Sequence, residues 1–592
     1  MRGSRSMGLA LGMMVAATTS ARSETRVLQD ISIDTVWNAV GNPYVVGEFV
    51  RVIAGATLTI EPDVVIHIDP GQSIIIGDSD LGPGALVARG SADAPILFTS
   101  SVAAPQQPQP GDWTGLVFSR DALDAVFSGG EYQSGSILQH VVLEYAGAGD
   151  APAVEIDRSS PYLDACEIRH SGAAGIDALA DSGPPLLIEH CTIWDCGARG
   201  PGPGIILTHG AGHILRANDV HDCAGPGVLV QAGNSTFQSN TITGNASSWG
   251  GGMWFDESSN CILANNHIRG NVADHVGGGL YFSRCRNTTL NENDVVGNIA
   301  ADAGGGIALE NGSSHCDLES NTVYGNSAAY AGGGVAVITA DSSTLTNNVV
   351  GGNSVVLEGG AGVYFYDSDG ATLIGNSISG NTADEAPGGG LYFYNSSGCT
   401  LNANTVIGNH AMEGGGAYFG ASAGCALLGN AIVGNSAVAT QTGGIYATGG
   451  ANLSLTADPN RGPFNTLCSN SGYQLYNDNV FDSNGSGDID ARYVRWCLGY
   501  AKQIRDAVRD HEDDPDAATI FWSPFVALLP GDLNCDGAVN FGDINPFIVA
   551  LGGQESYEAQ YPNCCWAHAD CNDDGSVTAA DINRFVALLS IP

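Results

Sequence analysis

Two stretches near the carboxyl end place oxygen-bearing side chains at the spacing that wraps a hard cation. In "DLNCDGAVNFGD", Asp532 to Asp543, such side chains stand at loop places one, three, five, nine and twelve: Asp532, Asn534, Asp536, Asn540 and Asp543. Gly537 holds place six, where a calcium loop must turn sharply. "DCNDDGSVTAAD", Asp570 to Asp581, repeats the order with Asp570, Asn572, Asp574, Thr578 and Asp581, and with Gly575 at place six. An all-oxygen set rich in carboxylates favours calcium over a softer metal, so two Ca2+ sites are expected.

The chain ahead of these loops restates one sentence, as in "TLNENDVVGN" and "TLNANTVIGN". One asparagine column runs through Asn240, Asn266, Asn293, Asn321, Asn348, Asn376, Asn404 and Asn430, and a second follows five places later from Asn245 to Asn435. Three places before the first column stand Phe237, Leu263, Leu290, Leu318, Leu345, Leu373, Leu401 and Leu427. A spacing of about 27 residues is repeat-architecture territory, too short for a propeller blade. Short alternating runs broken by glycine predict strands and turns, about three of each per repeat, with coils stacked at ~4.8 Å and the leucine column inside. Amide side chains can chain from coil to coil and satisfy turn backbone, so the asparagines read as structural.

Two surface features of the repeat are candidates for sugar chemistry. The strand after each glycine cluster puts Trp254, Tyr281, Ala308, Ala336, Tyr364, Tyr392, Tyr418 and Tyr446 at its outward place. Those aromatic rings could stack on carbohydrate, or on one another. Just before the glycines lies an acidic edge of Asp274, Asp302, Glu358, Asp384, Glu385 and Glu413, whose carboxylates could reach glycosidase separations or simply form a solvated edge. No catalytic residue is assigned from the sequence, and no organic cofactor is expected.

Composition narrows the partners. The 592 residues carry 62 Asp and Glu against 21 Lys and Arg, a formal charge of -41, with Lys502 the sole lysine. Nucleic acid is repelled, and so are anionic polysaccharides unless divalent cations bridge them. Arg2 and Arg5, the apolar run "MGLALGMMVAATT" and small residues near Ala21 predict a signal peptide over residues 1–23. The run is shorter than the ~20 residues a spanning helix needs, so the mature chain is expected to be secreted, extracellular or held at a cell surface without a membrane span. Of the 15 cysteines, Cys261, Cys316, Cys399 and Cys425 stand five places before the first asparagine column and read as compact apolar groups. Cys166 and Cys191 take the asparagine place in earlier coils, and bridges Cys196–Cys223 or Cys468–Cys497 both remain open.

The repeat resembles the right-handed parallel β-helix family from about residue 35 to 525, which implies an all-β fold of three short strands per coil. On that resemblance, residues 24–130 form an amino-terminal cap and first coils, 131–460 the β-helix repeats, and 461–530 a closing cap with a helix in "YAKQIRDAVRD". The family includes polysaccharide lyases, glycoside hydrolases and epimerases as well as non-catalytic proteins. The Arg-Ile-Lys of polygalacturonase-like enzymes is absent, and "AGHIL" matches their Gly-His-Gly poorly.

Each cation loop is followed by an apolar pattern, "DINPFIVAL" and "DINRFVALL", with Ile544, Phe547, Ile548 and Leu551, then Ile582, Phe585, Val586 and Leu589, on one helical face. Residues 531–592 therefore resemble a type I dockerin, a small α-helical calcium-binding module. The resemblance adds the carbonyls of Ala538 and Ser576 to the two ligand sets and implies a cohesin-like partner. Dockerins often use hydroxyl residues at loop places ten and eleven, where this chain has Phe541-Gly542 and Ala579-Ala580. Cys535, Cys564, Cys565 and Cys571 cluster in the same segment, where a disulfide is expected in an oxidising compartment. The reading is thus a surface β-helix that contacts polysaccharide or another extracellular partner and is attached through calcium, the alternative being a polysaccharide-degrading enzyme with the same tail.

Overall fold

The computed structural model describes residues 24–589 apart from 104, 180–183, 440, 457–462, 481–486, 498–500, 524–528, 537, 562–563, 565 and 573–575. The expected signal segment 1–23 lies outside the described residues, as do Gly537, Cys565, Asp574 and Gly575.

One coil shows why the sequence folds as it does. Thr236–Gln238, Thr241–Thr243, Ala246–Ser247 and Met253–Asp256 are successive strands, each pairing in parallel with the same strand of the next coil. We call the sheets they belong to sheet one, sheet two, the short sheet and sheet three. Sheet one runs from Thr35 to Phe521, sheet two from Thr25 to Cys468 and sheet three from Val50 to Arg509, and the short sheet has eight strands, Ala246–Ser247 to Ser436–Ala437. The expected three strands per coil are thus corrected to four through the regular repeats. Glycines leave the short sheet too brief to read as a strand, but its backbone pairs coil to coil in register.

The inward places form one continuous core. Sheet one contributes the expected column, Phe237 to Leu427, each at most 2% exposed. Sheet two contributes Ile242, Ile268, Val295, Val323 and their successors, and sheet three contributes Phe255, Phe282, Phe365, Phe393 and Phe419. Identical residues stacked at strand spacing put phenylalanine rings face to face, with centroids 4.8 Å apart for Phe365–Phe393 and Phe393–Phe419.

Both asparagine columns are buried ladders. Asn321 donates from Nδ2 to the Leu290 carbonyl at 2.9 Å and to Asn348 Oδ1 at 3.0 Å, while its own Oδ1 accepts from the backbone and side chain of Asn293, both at 2.9 Å. The residue before the second column is always glycine, as at Gly325 with φ 64°, because the chain turns there in the left-handed region. The first ladder opens at Asn218 and ends at Asn465, and the second ends on Gln474. Cys166, Cys191, Cys261, Cys316, Cys399 and Cys425 are buried thiols, as expected.

At the far end, helix Ala501–Ala507 and a Cys468–Cys497 bridge close the stack, whereas Cys196 and Cys223 are separate buried thiols. Beyond it, the two loops lead into helices Ile544–Ala550 and Ile582–Leu589, with helix Gln554–Gln560 between them. The stacked rings of Phe547 and Phe585, 4.1 Å apart, centre a small core with Leu533 and Tyr557. The apolar helix faces divide. Phe547 and Phe585 are 3% exposed, while Ile548 and Val586 are 61% and 53% exposed, and Ile544 and Ile582 also face solvent.

Candidate functional site

The outward column of sheet three is the first candidate. Glu155, Asp177, Ile206, Leu229, Trp254 and Tyr281 stand in register on successive strands, about 4.8 Å apart. From Tyr281 onward the segment that carries the short sheet folds over this column, so Val276, Ala303 and Ala331 pack on Tyr281, Ala308, Ala336, Tyr364 and Tyr392. Tyr281, Tyr364, Tyr392 and Tyr446 are only 3–6% exposed. Their rings lie on each other, with centroids 4.9 Å apart for Tyr364–Tyr392 and for Tyr392–Tyr418. Of the two readings, rings stacked on carbohydrate or on one another, the geometry matches the second: burial raises the Tyr281 and Tyr418 hydroxyls to about 12, and of the six aromatics only Trp254 and Tyr418 stay half-buried.

The cover is lost around Trp254. There a cleft of about 520 Å³ opens between Ile206, Leu229 and Trp254 on the sheet and Pro201, Pro203, Pro226, Ser248, Trp249 and Asp274 on the facing loops. Trp249 stacks on His275 at 4.7 Å and on Tyr281 at 5.7 Å, which fixes its ring in the wall. The indole N–H of Trp254 is buried and has no hydrogen-bond partner. The segment that would carry the cover here, residues 224–226 between Cys223 and Gly227, is far shorter than residues 272–278 between Asn271 and Gly279, which is the local reason the cover stops.

Next in the column, beyond Ile206, stand Asp177 and Glu155 on adjacent coils. Burial, then the neighbouring Glu155, pushes the Asp177 carboxyl up to about 6, and burial with Asp157 raises Glu155 as well. One oxygen of Asp177 is buried without a partner. Sequence reasoning missed this pair, although both occupy the outward place of the apolar-polar-apolar runs "VEI" and "IDA".

The expected acidic edge is mostly a solvated one. Asp274, Asp302, Asp384 and Glu385 are exposed; Asp302 pairs with His275 at 2.9 Å, Asp384 with His410 at 3.8 Å, and Glu358 accepts from Tyr330 at 2.8 Å. Burial, then Asp478, raises the Glu413 carboxyl.

The carboxyl-terminal loops form the second candidate. In the first, Asp543 is fully buried and accepts the backbone N–H groups of Leu533, Asn534 and Asn540 at 2.7–2.9 Å. The side chains at places three, five and nine and the carbonyl at seven converge: Asn534 and Asn540 amides lie 3.0 and 3.3 Å from one Asp536 oxygen, and Asn540 lies 3.3 Å from the Ala538 carbonyl. The amide oxygens themselves accept the Asp536 and Gly542 N–H groups at 2.9 and 2.7 Å, and with Asp536 and the Ala538 carbonyl they make an oxygen-rich donor set whose chemistry fits a hard cation. In the second loop Asp581, also fully buried, accepts from Asn572 and Thr578 at 3.1 and 2.9 Å. Asp574 lies outside the described residues, and Asp570 and Ser576 hold their loop places in sequence. Arg495, from the closing end of the stack, donates to the Cys535 carbonyl at 3.3 Å.

No helix among the described residues is long and apolar enough to cross a membrane. No curated protein matches the chain. Among solved structures, it is similar to the periplasmic alginate epimerase AlgG, at 12% identity over 58% of this chain and 73% of that one, with a TM-score of 0.31. It is also similar to a mannuronan C-5 epimerase A-module from Azotobacter vinelandii, at 13% identity over 70% and 90% of the two chains, TM-score 0.25. A third is the catalytic unit of a thermostable α-1,3-glucanase from Streptomyces thermodiastaticus, at 12% identity over 75% and 60%, TM-score 0.25. The family model described as "Right handed beta helix region" matches residues 152–323 and 302–480, together more than half of the chain, and with the stacked parallel coils this makes the protein a member of the right-handed β-helix family.

Proposed function

We propose that this protein is an exported β-helix that binds a neutral polysaccharide in the Trp249–Trp254 cleft and is attached elsewhere through its calcium-loading tail. The cleft carries the reading: it interrupts an otherwise covered sheet, two indole rings line it, and it has room for a few pyranose units. The charge of -41 disfavours an anionic glycan unless bound cations offset it. For the tail, Asp532, Asn534, Asp536, Ala538, Asn540 and Asp543 would hold one Ca2+, and Asp570, Asn572, Asp574, Ser576, Thr578 and Asp581 a second. Bound calcium supplies the charge that gathers each loop and presents the following helix. The exposed pairs Ile544 and Ile582, and Ile548 and Val586, with Phe541 at 79% exposure, form the apolar face that a cohesin-like partner would cover.

Affinity electrophoresis of the purified protein through a panel of neutral and anionic polysaccharides tests the cleft. Retardation by a neutral glycan, lost in Trp254→Ala and Trp249→Ala, supports the reading; no retardation by any glycan, or retention unchanged in both variants, refutes it.

The Glu155–Asp177 pair favours a second reading, a polysaccharide-degrading enzyme. Two carboxyls on adjacent coils match the ~5 Å separation of a retaining glycosidase, and the raised Asp177 is the one that would enter as the acid. New reducing ends, or unsaturated uronate absorbance, that disappear in Asp177→Asn and Glu155→Gln would decide for it. Binding without product would decide for the non-catalytic reading.

A further inference from the structure

We propose that Cys535, Cys564 and His568 form a redox-gated site for a soft divalent metal of the zinc class, using side chains outside the calcium ligand sets although Cys535 lies within the first loop. The two sulfurs and a ring nitrogen of His568 lie within 4.8 Å of one another. Cys535 and Cys564 are joined as a disulfide, which closes the site in the oxidised chain. His568 is 6% exposed, its Nδ1 is buried without a hydrogen-bond partner, and a buried imidazole ordinarily has both nitrogens satisfied. Its backbone is held in place, since the His568 carbonyl accepts the Gly531 N–H at 2.8 Å and the Cys571 thiol at 3.6 Å. The Asp532 carbonyl oxygen lies 3.8 Å from the Cys535 sulfur and 3.5 Å from that of Cys564, a fourth donor beside the other three.

Two sulfurs and an imidazole are soft donors that calcium does not use, and they suit the tetrahedral preference of zinc. The chemistry balances with an external thiol as reductant. Two thiols RSH deliver two electrons and two protons to the bridge, leave as RSSR, and give the Cys535 and Cys564 thiols. The metal then displaces one proton from each thiol, forming two metal–sulfur bonds and one metal–nitrogen bond, while two protons pass to water. The bridge and the loaded site are thus alternative states of one cluster, and neither uses a calcium-ligand side chain or depends on sugar in the cleft.

The test uses the full chain with calcium saturating, so that hard-cation sites are occupied. Zinc retained per chain after dialysis is compared before and after reduction with a phosphine, which does not chelate the metal, and Co2+ is used as the spectroscopic probe. The expected result is about one additional zinc per chain on reduction, with thiolate-to-cobalt charge-transfer absorption. His568→Ala should weaken the gain at least roughly tenfold, and Cys535→Ser with Cys564→Ser should abolish it. The gain should persist in a Cys468→Ser, Cys497→Ser background, which removes the other reducible bridge among the described residues. Equal zinc in oxidised and reduced wild-type chain, or cobalt spectra without thiolate absorption, overturns the proposal whether or not the variants fold. A gain that vanishes in the Cys468→Ser, Cys497→Ser background overturns it too.

Discussion

The asparagine ladder allows a loss of stability to be worked from named bonds. Replacing Asn321 by alanine removes Oδ1, the acceptor of both the Asn293 backbone N–H and one hydrogen of its Nδ2, each at 2.9 Å. Asn293 Nδ2 keeps its bond to the Leu263 carbonyl, and Asn321 keeps its own N–H bond to Asn348. Two buried donors are therefore orphaned, each at a cost of about 1–3 kcal/mol, and the Leu290 carbonyl and Asn348 Oδ1 each lose the donor that Asn321 Nδ2 supplied, so the local loss is at least about 2–6 kcal/mol. Because each coil touches only its neighbours, the loss should concentrate in the flanking coils. Hydrogen exchange read by mass spectrometry should show peptides spanning 288–300 and 315–330 exchanging faster by about thirtyfold or more, at about 1.4 kcal/mol per factor of ten, while peptides over 50–76 stay unchanged. Asn402→Ala, at a half-exposed place outside the ladder, should change stability by less than about 0.5 kcal/mol. Asn321→Asp refines the argument, since its oxygen can still accept from Asn293 but its other position faces two acceptors. Burial would raise that carboxyl above its unfolded value, so its penalty should be smallest below about pH 4 and grow as pH rises. Exchange in Asn321→Ala that matches Asn402→Ala would refute the ladder as a source of stability.

Four further outcomes can be checked. Chelating calcium should expose the 531–592 segment to proteolysis while sheet strands upstream stay protected, and Asp543→Ala or Asp581→Ala should abolish one binding event each in calorimetric titration. Removing the Cys468–Cys497 bridge, whose partners are 29 residues apart, should cost about 3–4 kcal/mol in the closing cap, read by urea unfolding followed at that end. Leu318→Ala, deep in the core, should cost about 2–5 kcal/mol on the same assay. Asp177 has a folded value near 6 against an ordinary value near 4, so its ionisation destabilises the fold as pH rises from about 4 to 6 and the penalty persists above that. Asp177→Asn should therefore gain in melting temperature relative to wild type across that window and hold the gain at pH 7.

What was legible in the sequence follows from periodicity. A leucine every 27 or so residues has only one way to stay buried in a parallel stack, so the core column and both ladders could be placed by number before any coordinates. The two loops proposed to hold a cation could be picked out because their candidate ligands lie within twelve residues and need no tertiary contact to be recognised. The cover over the tyrosines was not legible, because alternation tells which side of a strand a residue faces and is silent about a later segment folding back over the outward side. Tyr364 reads as outward in the strand and is outward, yet it is 3% exposed because Ala336, Tyr392 and the folded-back segment surround it. The Glu155–Asp177 pair escaped for a related reason: the early coils are shorter and less regular, so the two carboxylates have no common column in sequence until register aligns them.

The position of the cleft follows from the same physics that makes the rest of the molecule uniform. Where the repeat is regular, each short strand hydrogen-bonds the next and lays an apolar residue over the outward aromatic, so the stack consumes its own surface and leaves nothing to bind. That arrangement requires enough chain between the second-ladder place and the last glycine before sheet three to cross the outward column. Residues 272–278 separate Asn271 from Gly279, whereas 224–226 alone separate Cys223 from Gly227; the Ala224 and Ala246 N–H groups still bond the Cys196 and Cys223 carbonyls, but the segment is too short to fold over Leu229, and the short sheet begins at Ala246. Trp254 is thus the first outward aromatic of the column and the one with cover on a single side, with Trp249 as its wall and carboxyls three and four strands away. If this is the cause, lengthening the segment should close the cleft: inserting a copy of residues 273–276 after Gly225 should slow backbone exchange over 222–227 and weaken glycan retention together. Retention that survives while that segment becomes protected would separate sugar binding from the break in the repeat and place it on another surface.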